Sequence, residues 1–195
     1  MNDRTPLQQV LGTQWEELPV ALRWHYQTQP NTDVGALDVD YPRWMQACLN
    51  VLRWIGVLVN RRADGICTTV EKHMDGGVQH WTRTMVLPDG QTILFKSRWA
   101  YAGGNEIIEY VNRFFGLRMA AEVRDGRLYY EGRSYVFKVF GWLLPIPDWC
   151  LLGHATIVEA ALDDTRFEMD FRLRHPLLGQ VFRYSGIFSV EGNRT

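Results

Sequence analysis

Apolar residues recur at helical spacing through the first sixty positions of the chain and at strand spacing after them. In Pro6–Leu11 and Trp15–Tyr26, residues Trp15, Leu18, Leu22 and Tyr26 share one side, and Pro19 must start or interrupt a helix. These two stretches predict a short, broken helical pair. Pro30–Tyr41 has no clear period and holds Pro, Asn, Gly and three aspartates, so it reads as a loop. Pro42 then opens the strongest helix candidate, in which Trp44, Cys48, Val51, Leu52 and Ile55 form an apolar stripe ending at Gly56.

From Val57 onward, alternating runs are separated by turn signals at Ala63-Asp64-Gly65, Asp75-Gly76-Gly77, Pro88-Asp89-Gly90, Gly103-Gly104-Asn105, Asp125-Gly126 and Asp163-Asp164. Arg166–Arg174 shows the pattern most clearly, with Phe167, Met169, Phe171 and Leu173 on one face and charged residues on the other. The count comes to about nine strands, too many for one twisted open sheet to stay flat. The expectation is therefore an α+β chain, mainly β: an antiparallel meander closed into a barrel or curved half-barrel, with N-terminal helices packed against it. It should form one domain over 1–195, with a helical segment at 1–56 and the barrel at 57–190.

Three of the apolar faces carry one ionisable group each. Arg83 stands among Trp81, Met85 and Leu87, Glu109 between Ile107 and Val111, and Glu159 between Ile157 and Ala161. If these faces point inward, the charges must meet each other, water or a ligand, because an unpaired buried charge is very costly. Ser97 keeps company with Phe95 and Trp99, and Tyr184 with Phe182 and Phe188, so two hydroxyls join the same interior. Arg83, Glu109, Glu159, Ser97, Tyr184, Trp81 and Trp99 are thus the candidate ligand-binding residues, with Phe95, Phe167 and Phe171 as further apolar wall.

Composition narrows the chemistry. With 46% hydrophobic and 22% charged residues and a net charge of −1, the chain is globular and offers no basic excess for nucleic acid. No apolar run is long enough to span a bilayer, and MNDRTPLQQVLG lacks the apolar core of a secretory signal, so a cytoplasmic location is expected. Cys48, Cys67 and Cys150 suit neither a disulfide framework nor zinc and read as small buried residues. The five histidines have no metal-ligand spacing, and His175, before Pro176, reads as a cap of its turn. Ser97 lies in no nucleophile elbow, and Gly103-Gly104 leads into a strand rather than a phosphate-binding helix, so no cofactor is expected. Trp142, Ile146 and Trp149 sit in a proline-broken stretch that cannot be regular strand and suits the mouth of a barrel or a peripheral contact with a membrane surface.

Several strings carry a family likeness: WTR at Trp81–Arg83, Ser97, IIEY around Glu109, LLPIPDWC at Leu143–Cys150, IVEA around Glu159 and HPLLGQVFRYSGIF at His175–Phe188. With LPVALRWHY at Leu18–Tyr26 as an opening segment, the chain resembles a bacterial family of unknown function, number 4166 in the domain-of-unknown-function series. The resemblance implies no catalytic residue. Members stand alone or joined to other domains, some similar to nicotinamide-dependent reductases. After Pro88, where that family tends to carry a glycine-rich aromatic run, this chain reads DGQTILFKSRW.

Three functional readings follow. The first is non-catalytic binding of a small amphipathic molecule, such as a lipid or polyketide-like compound, inside the barrel. The second is an isomerase, cyclase or lyase using Glu109 or Glu159 as acid or base in the same cavity. The third is a structural or interaction domain whose barrel is filled with side chains. An open interior of at least ~300 Å³ separates the first two from the third.

Overall fold

The computed structural model describes residues 4–54 and 56–191. Helix α1 (Pro6–Leu11) begins at a capping box, where the Gln8 amide donates to the Thr5 hydroxyl and the Thr5 amide to the Gln8 side chain. A 3₁₀ turn over Gly12–Glu17 follows, and Pro19 stands at the N-cap of α2 (Val20–His25). The broken helical pair of the sequence is therefore present, with Leu7, Leu11, Leu18 and Leu22 buried.

The strands are β1 (Asn31–Asp40), β2 (Ala63–Asp75), β3 (Val78–Val86), β4 (Thr92–Gly103), β5 (Glu106–Tyr110), β6 (Phe115–Arg124), β7 (Arg127–Val139), β8 (Trp142–Ile146), β9 (His154–Ala161), β10 (Arg166–His175) and β11 (Gly179–Glu191). Their order is β6-β5-β4-β3-β2-β1-β11-β10-β9-β7-β8, and β6 also pairs with β7. That last pairing closes a ten-stranded antiparallel barrel and removes its free edges. The lower half of β7 pairs with β9 and its upper half with β8, which stands outside the cylinder as a projecting hairpin. At the β1–β11 seam a Cβ on Gly35 would collide with the Ile187 carbonyl and one on Gly186 with the Ala36 carbonyl, so close strand approach there requires glycine.

Alternation of direction assigns every connection to one of two ends. The N-terminal helices and the turns near 76, 104, 126 and 163 lie at the lower end. The segment 41–62, with helix α3 (Gln46–Trp54), and the turns near 89, 113, 140, 150 and 177 lie at the upper end.

Five expectations need correction. The proline-broken stretch at Trp142–Ile146 is regular strand, β8: among the described residues it pairs only with β7, and an edge strand tolerates Pro145. Pro30–Tyr41 is strand β1 and not a loop: its inward positions include Asn31, Asp33 and Gly35, which disguise the alternation carried by Leu37 and Val39. The face of α3 is rotated. Met45 and Leu49 are buried with Leu52 beside them, whereas Trp44, Cys48 and Val51 face outward, because that helix is apolar on more than one side; Ile55 lies outside the described residues. All three cysteines are exposed; on β2 the strand phase gives Ile66 and Thr68 the interior and leaves Cys67 outside. Ala63-Asp64-Gly65 starts β2 instead of turning the chain. A register shift against Leu37–Val39 absorbs it, and the Gly65 amide donates to Asp38 Oδ1 at 2.8 Å.

Candidate functional site

Neighbouring strands bring the first charged cluster together. Trp81 pairs in register with Ser97, Arg83 with Phe95, and Trp99 with Glu109, so β3, β4 and β5 present these side chains on one patch of inner wall. Arg83 Nη1 donates to Ser97 Oγ at 2.9 Å and to Glu109 Oε1 at 3.3 Å. Its guanidinium lies 5.0 Å from the centre of a Trp81 ring and 5.5 Å from that of Phe95, within cation–π range. Trp81 and Trp99 stack at 4.9 Å.

Glu159 does not join the Arg83–Glu109 ion pair. It comes from β9 on the opposite wall, and both its oxygens accept from the Tyr26 hydroxyl, at 3.0 and 2.9 Å. Burial pushes this carboxyl up to about 7, although Tyr26 and Lys72 pull it down. Burial, followed by the nearby Glu159, raises Tyr26 well above its usual range. Tyr184 stacks on Phe171 at 4.7 Å, and burial raises its hydroxyl too.

Below these groups lies a second cluster that sequence reasoning missed. Lys72 Nζ, buried, donates to the His25 carbonyl at 2.7 Å and to Asp33, and His25 Nδ1, 2.8 Å from Nζ, donates to Asp33 Oδ2 at 2.6 Å. Burial raises Asp33, but His25 and Lys72 outweigh it and hold the carboxyl low. Burial lowers Lys72 to about 8 against the pull of Asp33. Burial and then Lys72 hold His25 down at about 4, so its ring is neutral at pH 7. At 2.6 Å from an ionised carboxylate oxygen, which can only accept, Nδ1 carries the ring proton and Nε2 is left as an acceptor. The signal for this cluster was in the chain: Ile66, Thr68, Val70 and Lys72 place an ionisable group on an apolar face just as Arg83 is placed.

Two chambers adjoin these clusters and share Leu37, Arg83, Glu109 and Tyr184 as a waist. The upper one, about 70 Å³, is walled by apolar side chains from Val39 and Met85 to Phe115, Tyr135 and Phe182, and the loop residues Val57, Leu58 and Val59 cross it. Inward-facing Phe95, Leu117 and Tyr184 remain half-buried, so this chamber communicates with solvent. The lower one, about 30 Å³, lies among His25, Tyr26, Trp81, Trp99 and Glu159. Three ring nitrogens of its lining residues, Trp81 Nε1, Trp99 Nε1 and His25 Nε2, are buried with no hydrogen-bond partner among the described residues. The free space falls short of the ~300 Å³ that separates the binding and enzyme readings from a filled barrel, so by volume alone the interior is closer to filled, although a single water needs only ~10–15 Å³ on such a scale.

Six of the seven candidate residues therefore line one or both chambers, and Ser97 stands behind them as a buried partner of Arg83. Elsewhere, His175 caps its turn as expected, with the Leu177 amide donating to Nδ1 at 3.2 Å. Among the described residues, no His, Cys, Asp and Glu side chains are grouped to hold a metal ion, and no helix is long and apolar enough to cross a membrane. The chain matches the family described as a domain of unknown function (DUF4166) over residues 18–188. No curated protein and no solved structure matches it.

Proposed function

The chain belongs to this family of unknown function, and from the site itself we propose that the barrel binds a slender amphipathic molecule without transforming it. The observation that carries the reading is the pair of unpartnered indole N–H groups, Trp81 and Trp99, beside a chamber whose upper continuation is apolar. A buried donor left unsatisfied costs about 1–3 kcal/mol, and an acceptor oxygen on a ligand removes that cost. Arg83 is already neutralised by Glu109, so the favoured head group is a neutral carbonyl or hydroxyl. Limited free volume favours a single chain or small ring over a bulky polycycle. A larger ligand would need the loop at Val57–Val59 to move outward.

The test is native mass spectrometry of protein purified from its own host, followed by extraction of whatever is non-covalently bound. A reproducible amphipathic passenger that disappears in Arg83→Met or Trp99→Phe supports the proposal. A clean mass, with no uptake of long-chain alcohols or ketones from a panel, would favour a filled barrel whose polar groups serve only the fold.

One observation favours a second reading. Glu159, held near 7 and hydrogen-bonded by Tyr26, is poised to exchange a proton at neutral pH, whereas Glu109 is held in an ion pair. On that reading Glu159 is the acid or base of an isomerase, cyclase or lyase. Conversion of an extracted passenger by the parent protein but not by Glu159→Gln would decide for it.

A further inference from the structure

The upper rim of the barrel exposes large apolar side chains from four separate segments. Trp54 ends α3 at 88% exposure, Phe140 and Trp142 form the tip of the β7–β8 hairpin at 98% and 76%, and Leu177 tops the β10–β11 turn at 87%. Trp44 and Trp149 add to the same end. Exposed apolar residues at the lower end, such as Val20 and Trp24 on α2 and Leu162, are no more than half exposed, which is ordinary for a protein surface. A ring of aromatic and leucine side chains around one end is not.

Local backbone sharpens the point. Phe140 holds φ at +47°, and Gly141 after it +86°, in a two-residue hairpin turn. That geometry favours Asn or Gly, and a bulky side chain in it is strained. The turn therefore spends a position suited to Asn on a phenylalanine that contacts almost nothing in the fold.

Charge is divided between the ends in the same sense. The upper segments carry Arg43, Arg53, Arg61, Arg62, Arg113, Lys138 and Arg174 against Asp40, Asp64, Asp89 and Asp148, whereas the lower helices and turns carry Arg4, Arg23, Arg124, Arg127 and Arg166 against Glu16, Glu17, Asp75, Glu106, Asp125, Asp163, Asp164 and Glu191. Beside the hairpin, a crevice is lined by Arg98, Arg113 and Lys138 with Phe114, Phe137 and Phe140, and no carboxylate enters it. Arg98 and Arg113 lie over the rings of Tyr110 and Phe114. Aromatic side chains that enter the interface, flanked by cations that meet phosphate, are the complement of an anionic bilayer surface.

We infer that the upper rim docks the protein onto an anionic lipid bilayer. Phe140, Trp142 and Trp54 enter the headgroup region, and Arg113 and Lys138 pair with phosphates. The solvent-connected upper chamber then faces the bilayer. This gives an amphipathic ligand a source and a destination, and it rests on the proposed binding role for its purpose but not for its test.

Flotation of the full chain with vesicles of phosphatidylcholine, with and without phosphatidylglycerol, tests the docking. The parent should float with the anionic vesicles, and far less with phosphatidylcholine alone or at high salt. Phe140→Asn/Trp142→Ser should lose vesicle binding by about tenfold or more, and so should Arg113→Glu/Lys138→Glu. Phe140→Asn suits the turn geometry, so a folded variant is expected, and thermal unfolding verifies it. Absence of flotation by the parent overturns the inference. So does equal flotation by folded rim variants, or a dimer dispersed by those changes with no vesicle binding, which assigns the patch to a second copy. Vesicle binding without any interior passenger would keep the docking and remove the ligand role; a passenger without vesicle binding would do the reverse.

Discussion

The two ends of the barrel treat polarity in opposite ways. At the lower end, charge is buried and water kept out: Lys72, Asp33 and His25 are packed under the N-terminal helices and bond to one another. At the upper end, the interior is apolar and partly open while aromatic side chains face out. The comparison separates polar groups that complete the fold from those left available. Lys72 donates to Asp33 and to the His25 carbonyl, His25 Nδ1 donates to Asp33, and Glu159 is capped by Tyr26. Among the described residues the buried atoms without a hydrogen-bond partner include the indole N–H groups of Trp81 and Trp99 and the far nitrogen of His25, all on residues around the lower chamber, and, outside its lining, Asn31 Oδ1, Asp33 Oδ1, Gln79 Oε1, Arg118 Nε and the Tyr130 hydroxyl.

The largest effect should come from breaking the lower cluster. Asp33→Ala strands a buried ammonium, and chemical denaturation should show a loss of about 3–5 kcal/mol. Adding Lys72→Met should restore much of it. If the double change costs the sum of the singles, the two groups do not act as a pair.

At the waist, Arg83→Met and Glu109→Gln should each cost about 1–3 kcal/mol, with the double variant losing less than the sum. Additive losses would mean that the 3.3 Å contact contributes nothing to stability.

Glu159 links the two ends through pH. Folding raises it from 4.5 to about 7, so between those values the folded state holds a proton that the unfolded chain has released. This contribution is complete below about 4.5 and is lost as pH rises through 7. His25, lowered from 6.5 to about 4, acts in the opposite direction over much of the same window, so the parent's profile is a balance. Glu159→Gln isolates one side of it: relative to the parent, the variant should gain stability between pH 5 and pH 8. An unchanged difference would mean that Glu159 titrates at its ordinary value.

The smallest effect is expected at the rim. Phe140→Asn should change unfolding stability by no more than about 0.5 kcal/mol, or raise it slightly by relieving the turn. A larger loss would make Phe140 part of the fold rather than of a surface.

Much of this molecule could be read residue by residue. Strict alternation in Arg166–Arg174 and the Gly-bearing turns at 76, 90, 104 and 126 marked the strands and where the chain reverses. The lone ionisable groups among Trp81, Ile107 and Ile157 marked the interior. Reading failed where inward positions are polar or glycine, as at Asn31, Asp33 and Gly35, and where a helix is apolar on two sides, as in α3. Periodicity reports amphipathic contrast, and those segments have little of it.

Spacing along the chain determined that Arg83, Glu109 and Glu159 occupy inner faces, because strand phase is a local property with a period of two. Which partner each one finds is not local. Arg83 takes Glu109 because β3, β4 and β5 are successive neighbours, whereas Glu159 is delivered by β9 to the far wall and meets Tyr26 at the end of a helix 133 residues away. Closure of β6 on β7 creates the interior they share, and the strand directions gather Trp54, Phe140, Trp142 and Leu177 at one rim. Pairing across such distances depends on the register of every strand between, and that exists only in the closed barrel.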